Sequence, residues 1–188
     1  MQQNREKLRM MIITALFAAI IGILAQVNIP LPLVPITGQT LAIGLAATIL
    51  GSRYGTLAVI LYLIIGAAGI PVFAEMSAGI SKIFGPTGGY LVGFIPTAFL
   101  TGLILEKTKF TVTNAILANI IGMVITLTFG TIWLKIAASL SWTAAIAGGA
   151  TPFLIVGVIK AVMAGWVGIL VRNRLDASRM LPQQKLSA

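Results

Sequence analysis

Long runs of apolar residues without charges dominate the sequence and constrain its fold more than any other feature. The first run, Met10 to Val27, is 18 residues long, and a helix needs about 20 such residues to cross a bilayer. Only 9% of the residues are charged, against about 25% in soluble domains. We therefore expect an all-α integral membrane protein in contact with membrane lipid, forming a single membrane domain over residues 1–188.

The runs predict six transmembrane helices joined by irregular outer loops, at about 10–27, 39–50, 54–70, 87–105, 115–134 and 152–171. The second helix covers only about 18 Å, so the proline-rich segment 28–38 before it is expected to complete the crossing. A short amphipathic helix is expected around Trp142. The polar tail, 172–188, is expected to be disordered.

The basic residues give the orientation. Ten of the 13 Lys and Arg residues flank the spans on one side: Arg5, Lys7, Arg9, Arg53, Lys107, Lys109, Arg172, Arg174, Arg179 and Lys185. Only Lys82 and Lys135 fall on the other side, so both termini are predicted to be cytoplasmic. Short clusters between apolar runs do not form the continuous basic stripe of a nucleic-acid-binding protein. The longer loops, where binding sites tend to occur, lie on the outer face.

Several kinds of chemistry are excluded by composition. The chain has no cysteine and no histidine, which removes disulfides, thiolate nucleophiles, histidine catalysis and His/Cys metal sites. No Asp or Glu lies within a predicted span to relay protons, and the G-x-x-x-x-G-K-[ST] phosphate loop is absent. We therefore predict a binding subunit without a cofactor, not an enzyme.

Lys160 is the one ionisable residue well inside a predicted span. It follows Thr151 by nine positions, which places it about 13 Å from the outer end of its helix. A lysine at that depth is costly and is expected to face the bundle interior with a partner. Glu75 in an outer loop and the carboxylate of an incoming ligand are the two candidates.

Three helices begin at the outer face after a threonine, namely Thr37, Thr87 and Thr151. They are either ordinary N-caps of membrane helices or helix ends that converge on an anionic ligand. Three aromatic residues near the outer ends of the helices also have two interpretations: Phe73, Tyr90 and Phe153. They belong either to an interfacial belt or to the walls of an apolar pocket.

Small residues recur at four-residue spacing on the first helix, as Ala15 with Ala19 and as Ala18 with Gly22. This spacing allows another helix to approach closely.

Three segments together resemble a known family. They are Pro35-Ile-Thr-Gly-Gln-Thr40, Gly66-Ala-Ala-Gly-Ile-Pro-Val-Phe-Ala74 and Gly85-Pro-Thr-Gly-Gly-Tyr-Leu-Val-Gly-Phe94, and they closely resemble the BioY family. These proteins are the biotin-binding S-components of energy-coupling-factor (ECF) transporters. The resemblance extends over nearly the whole chain.

The resemblance implies a six-helix subunit of the bacterial plasma membrane. It would capture biotin from outside as a transported ligand, not as a prosthetic group. It would then associate with a transmembrane coupling subunit and two ATP-binding-cassette (ABC) ATPases. Ala15 and Ala19 would face the coupling subunit, and Lys160 would suit the valerate carboxylate. The predicted binding residues are Lys160, Gln39, Thr37, Phe73, Glu75, Tyr90, Phe153 and Asn119.

The sequence departs from the family at one position. The family usually has P-F-L-P-G-D-x-x-K, whereas this chain has Pro152-Phe-Leu-Ile-Val-Gly-Val-Ile-Lys160, with Gly157 in place of the aspartate. Glu75, Gln39 and Asn119 are the alternative residues to take the place of this aspartate in ligand binding.

An independent secondary carrier or channel for a small carboxylated solute is the alternative function. It is motivated by Lys160 and the broken second helix.

Overall fold

Helices make up most of the computed structural model, which describes residues 2–178, 180 and 181. In chain order they are α1 (Gln2–Ala25), α2 (Gln39–Ala67), α3 (Ile80–Phe84), α4 (Gly88–Lys107), α5 (Val112–Ala137), α6 (Trp142–Gly149) and α7 (Thr151–Ala177). Two short antiparallel strands, β1 (Asn28–Ile29) and β2 (Ile36–Thr37), form a hairpin between α1 and α2. A 3-10 turn, Ala74–Met76, precedes α3. Within the described residues, five helical segments are long and apolar enough to cross a membrane.

Helix α2 folds back on itself at Gly51, so it supplies two crossings. Gly51 has φ +79° and ψ −172°, a backbone conformation that is essentially restricted to glycine. The Gln39 side chain donates a hydrogen bond to the Tyr62 hydroxyl, although these residues would be about 35 Å apart in a straight helix. The two arms, 39–50 and 52–67, are therefore antiparallel, and the predicted six-helix fold is confirmed.

Two charged side chains hold the α2 arms at this turn. Glu106 of α4 accepts hydrogen bonds from the Ser52 backbone N–H at 2.7 Å and from its hydroxyl at 2.6 Å, at the start of the second arm. Arg172 of α7 donates to the Ile49 carbonyl at the end of the first arm. A negative group at a helix N-terminus and a positive group at a C-terminus both stabilise the helix, so the pair complements both arm ends.

The α2 arms lie at the centre of the bundle. Helix α2 packs against α1, α4 and α7, and α5 packs against α4 and α7. Buried hydroxyls join α4 to α5: the Thr97 and Thr126 oxygens are 2.7 Å apart, and Thr101 donates to the Ala118 carbonyl at 3.3 Å. Such bonds between helices stabilise packing where no water competes.

The helix ends differ from those expected from hydropathy. Helix α1 begins at Gln2 instead of position 10, while α4 and α5 extend to Lys107 and Ala137. The second α2 arm is shorter than expected and ends at Ala67, because Gly69 adopts φ +102°. Hydropathy detects only the apolar part of a membrane helix, whereas the backbone hydrogen bonds continue into its polar ends.

The prediction of a disordered tail from residue 172 is wrong for its first part. Helix α7 continues to Ala177, since Arg172 lies over the Phe110 ring at 3.5 Å and Leu175 packs on the apolar cluster around Met10. Residues 179 and 182–188 of that predicted tail lie outside the described residues.

The three threonines for which an N-cap was one interpretation differ at their helices. The Thr37 hydroxyl accepts from the N–H of Gln39, the first residue of α2, at 3.3 Å and donates to the Gln39 amide oxygen at 2.7 Å. Thr87 and Thr151 form no side-chain cap at α4 and α7. The Thr151 hydroxyl donates to the Ile146 carbonyl. The short helix expected around Trp142 is present as α6.

Candidate substrate-binding site

One cavity of about 460 Å³ lies among the segment 31–37, the first arm of α2, the turn 73–77, α4, α5 and α7. Its volume falls within the usual range for small-molecule sites, about 300–1,000 Å³. All eight residues predicted to bind substrate line it: Thr37, Gln39, Phe73, Glu75, Tyr90, Asn119, Phe153 and Lys160. Residues from six separate parts of the sequence therefore meet at one space.

Lys160 is held by neutral oxygens. Its ammonium donates to the Thr37 carbonyl at 2.7 Å and is 3.3 Å from the Thr40 hydroxyl. Within the described part of the chain no ion pair joins it to Glu75, so that expected partner is not found. Glu75 also lines the cavity, but among the described residues no carboxylate forms an ion pair with the Lys160 ammonium.

Gln39 and Thr37 form a buried polar network beside Lys160. The Gln39 amide oxygen accepts from Thr37 and its amide nitrogen donates to Tyr62. Only 4% of Gln39 is exposed. Both ends of this amide already have protein partners, which fixes its orientation at the start of α2.

Asn119 of α5 lines the cavity, and its hydrogen bonds fix the orientation of its amide. Its amide nitrogen donates to the Thr48 hydroxyl at 2.9 Å and to the Ala115 carbonyl at 2.8 Å. A carbonyl can only accept, so the nitrogen faces Ala115 and the oxygen faces the other way. That oxygen lies against Gly44, where an added Cβ would come within 2.3 Å of it. The absence of a side chain at Gly44 therefore gives the oxygen its space.

Aromatic rings form the apolar walls. Phe73 packs edge-on against Tyr62 with ring centroids 5.5 Å apart, and Tyr90 lies 6.1 Å from Phe153. The Tyr90 hydroxyl donates to the Gly149 carbonyl at 2.6 Å, which directs this polar group to α6. The rings accordingly offer apolar surface to a ligand.

Gly157, at the position where the family usually has an aspartate, lines the cavity opposite Met123. A Cβ on Gly157 would lie 2.3 Å from the Met123 sulfur. Met123 thus occupies space that a side chain at 157 would need, and an apolar thioether faces the cavity there.

Other lining residues did not emerge from the sequence, namely Thr40, Met123, and the bonded pair Thr97 and Thr126. The last two are hydroxyls within predicted spans, and a search for every polar residue in the spans, not only the ionisable ones, would have identified them. The role of Met123 could not be identified in this way, because methionine is an ordinary apolar residue in a membrane helix.

Comparison with known proteins identifies the family. The model of the BioY family matches residues 1–177. The chain belongs to the BioY family. A BioY relative from Lactococcus lactis subsp. cremoris, described as "Biotin transporter BioY2", is 42% identical over 170 residues, covering 90% of this chain and 93% of the relative. A "Biotin transporter BioY" from Thermotoga maritima is 37% identical over 172 residues, covering 92% of this chain and 100% of that one.

The fold agrees with this assignment. A crystal structure of the S-component for biotin from an ECF-type ABC transporter superposes with a TM-score of 0.84 at 27% identity, covering 90% of this chain and 94% of that one. This BioY chain therefore has the S-component fold and is a membrane transport protein, not an enzyme.

Proposed function

We propose that the protein captures biotin at the outer face of the bacterial plasma membrane, for ATP-driven uptake by an ECF-type transporter. The observation that carries the proposal is the Lys160 ammonium, which lies in a largely apolar cavity and is bonded to neutral oxygens. Membership of BioY and the names of the similar proteins support biotin as the ligand.

The valerate carboxylate of biotin is the group that suits Lys160. An ammonium carries three N–H donors, and two of them are directed at Thr37 and Thr40. The third remains for one carboxylate oxygen. A hydrogen bond between charged groups at this depth is strong, since little water competes with it.

The ureido ring of biotin requires acceptors for its N–H groups. With glycine at position 157, we infer that the Asn119 amide oxygen is one of these acceptors. The hydrogen bonds of the amide nitrogen orient this oxygen toward Gly44. An amide is neutral, so it recognises the ring N–H without a second buried charge. Gln39, the other amide considered, has both ends bonded within the protein.

The thioether ring and the alkyl chain are apolar and suit the aromatic walls. Tyr90 with Phe153 gives one such surface, and Phe73, which packs against Tyr62 behind it, gives another. Burial of this part contributes about 25 cal/mol per Å² of apolar area. Glu75 lies in the outer turn that carries Phe73, where we propose that it lines the entrance.

Both termini are proposed to be cytoplasmic, which puts the cavity on the outer side. The support is the excess of basic residues at the opposite end of the bundle. In this orientation Arg172 and Glu106, at the turn of α2, lie near the cytoplasmic surface.

The exposed face of α1 suits a helix of the coupling subunit. Ala15 and Ala19 are exposed, whereas Ala18 and Gly22 are buried within the bundle. Small residues on an outward face let a partner helix approach closely. We infer that Ala15 and Ala19 contact the transmembrane coupling subunit, which would in turn bind two ABC ATPases.

Titration of the purified protein with biotin by calorimetry tests the proposal. We expect saturable binding of one biotin per chain, weaker binding of biotin methyl ester, and weaker binding of an analogue with blocked ureido N–H groups. Dethiobiotin probes the thioether ring, and riboflavin is the unrelated control. Absence of binding by biotin and its close precursors would refute the function. Full affinity for the blocked analogue would refute the role of Asn119.

Uptake separates the proposal from an independent secondary carrier. Cells that lack every ECF ATPase should take up no labelled biotin through this protein. Uptake that persists in such cells would show transport without the partners proposed here.

A further inference from the structure

The turn that carries Phe73 and Glu75 to the cavity has an unusual backbone. Glu75 has φ +59° and its neighbour Met76 has φ +53°. Residues other than glycine, asparagine and aspartate rarely adopt this left-handed backbone conformation. Two consecutive residues in it persist only where the surrounding structure holds them.

Part of the support comes from within the turn. The Phe73 N–H donates to the Ser77 carbonyl at 3.0 Å, and the Ser77 hydroxyl donates to the Ala74 carbonyl at 2.6 Å. These bonds close the turn but do not connect it to the rest of the bundle.

Gln26, directly after α1, makes that connection. Its amide oxygen accepts from the Met76 N–H at 2.9 Å, and its amide nitrogen donates to the Phe73 carbonyl at 3.0 Å. The same nitrogen donates to the Gly22 carbonyl at 3.1 Å. One amide therefore joins both sides of the strained turn and fastens it to the end of α1.

Gln26 is not among the residues that line the cavity, while Phe73 and Glu75 both are. We propose that Gln26 is a positioning residue for substrate binding, which holds these two residues over the site by bonding the turn. The inference rests on the proposed function, since it assigns Gln26 a role in binding the same ligand. Without Gln26 the left-handed residues relax and the turn moves away from the cavity.

The first test is the affinity and dissociation rate of biotin for Gln26→Leu, which keeps the size of the side chain and removes all three bonds. We expect about tenfold weaker binding, mostly through faster dissociation, with normal membrane insertion and a monodisperse elution profile. Gln26→Asn keeps the amide but withdraws it by one methylene, and it serves if the leucine variant does not fold. Unchanged affinity in the variant that folds would overturn the proposal.

Rescue separates positioning from a general structural role. Met76 is 64% exposed and does not line the cavity, so Met76→Gly alone should leave biotin affinity within about twofold. Combined with Gln26→Leu it should restore at least half of the lost binding free energy, because glycine adopts the left-handed region without strain. A double variant as weak as Gln26→Leu would overturn the proposal.

Hydrogen exchange tests the turn without ligand, so it is independent of whether biotin binds. Peptides covering 73–77 should exchange faster in Gln26→Leu than in the wild type, since the Met76 N–H loses its acceptor. Peptides covering α4 should exchange equally in both. Unchanged exchange at 73–77 would overturn the proposal, whereas a wild type that does not bind biotin would refute only the proposed function.

Discussion

At Lys160 a positive charge lies about 13 Å from the outer end of α7, beside the Thr37 carbonyl and the Thr40 hydroxyl. A charge at this depth is kept only where other groups stabilise it. Two neutral oxygens do so in part, and we propose that a ligand carboxylate provides the remaining stabilisation.

We predict that Lys160→Met weakens biotin binding by about 10- to 100-fold, since a hydrogen bond to a charged group contributes about 1.5–3 kcal/mol. Calorimetry with biotin and its methyl ester measures the effect: the ester should bind the variant and the wild type almost equally. Lys135→Met is the control, because Lys135 lies over the Trp142 ring and away from the cavity. Equal loss of affinity for acid and ester would contradict a carboxylate contact.

At the scale of the element, the fold of α2 depends on one backbone position. Gly51→Ala should lower the free energy of unfolding by about 2 kcal/mol or more, because this region of φ and ψ is strained for any side chain. The added Cβ would also meet the Glu106 carboxylate at 2.3 Å, disturbing its bonds to Ser52.

The melting temperature in detergent measures this loss. Gly69→Ala is the matched control: Gly69 also has positive φ, but a Cβ there would meet nothing within 4 Å. It should therefore show the smaller decrease. Equal melting temperatures for the two variants would mean that the contact between Gly51 and Glu106 is unimportant.

At the scale of the whole molecule, binding and assembly should be separable. Ala15→Trp and Ala19→Trp should retain biotin affinity within about twofold, because α1 exposes both residues on the side away from the bundle. Each should reduce copurification of the coupling subunit, since an indole prevents close helix approach. Leu117→Trp, on the exposed side of α5, is the control and should assemble normally. Copurification at wild-type levels by both alanine variants would refute the interface.

Much of the fold was predictable because a bilayer demands long apolar helices, and Lys160 stood out because ionisable residues are rare within them. Contacts between distant parts of the chain were not predictable. Gln26 looks like an ordinary polar residue at a helix end, and its role depends on a turn 47 residues later. Arg172 was assigned to a disordered tail because its carbonyl partner, 123 residues earlier, cannot be inferred from local sequence.

The two bonds of Lys160 also bear on the entropy of ligand capture. A free lysine side chain loses about 2 kcal/mol of rotamer entropy when it is immobilised. Here folding has already ordered it, through Thr37 and Thr40. A carboxylate that binds as proposed would therefore meet a preorganised donor, and more of the electrostatic attraction would be available as affinity.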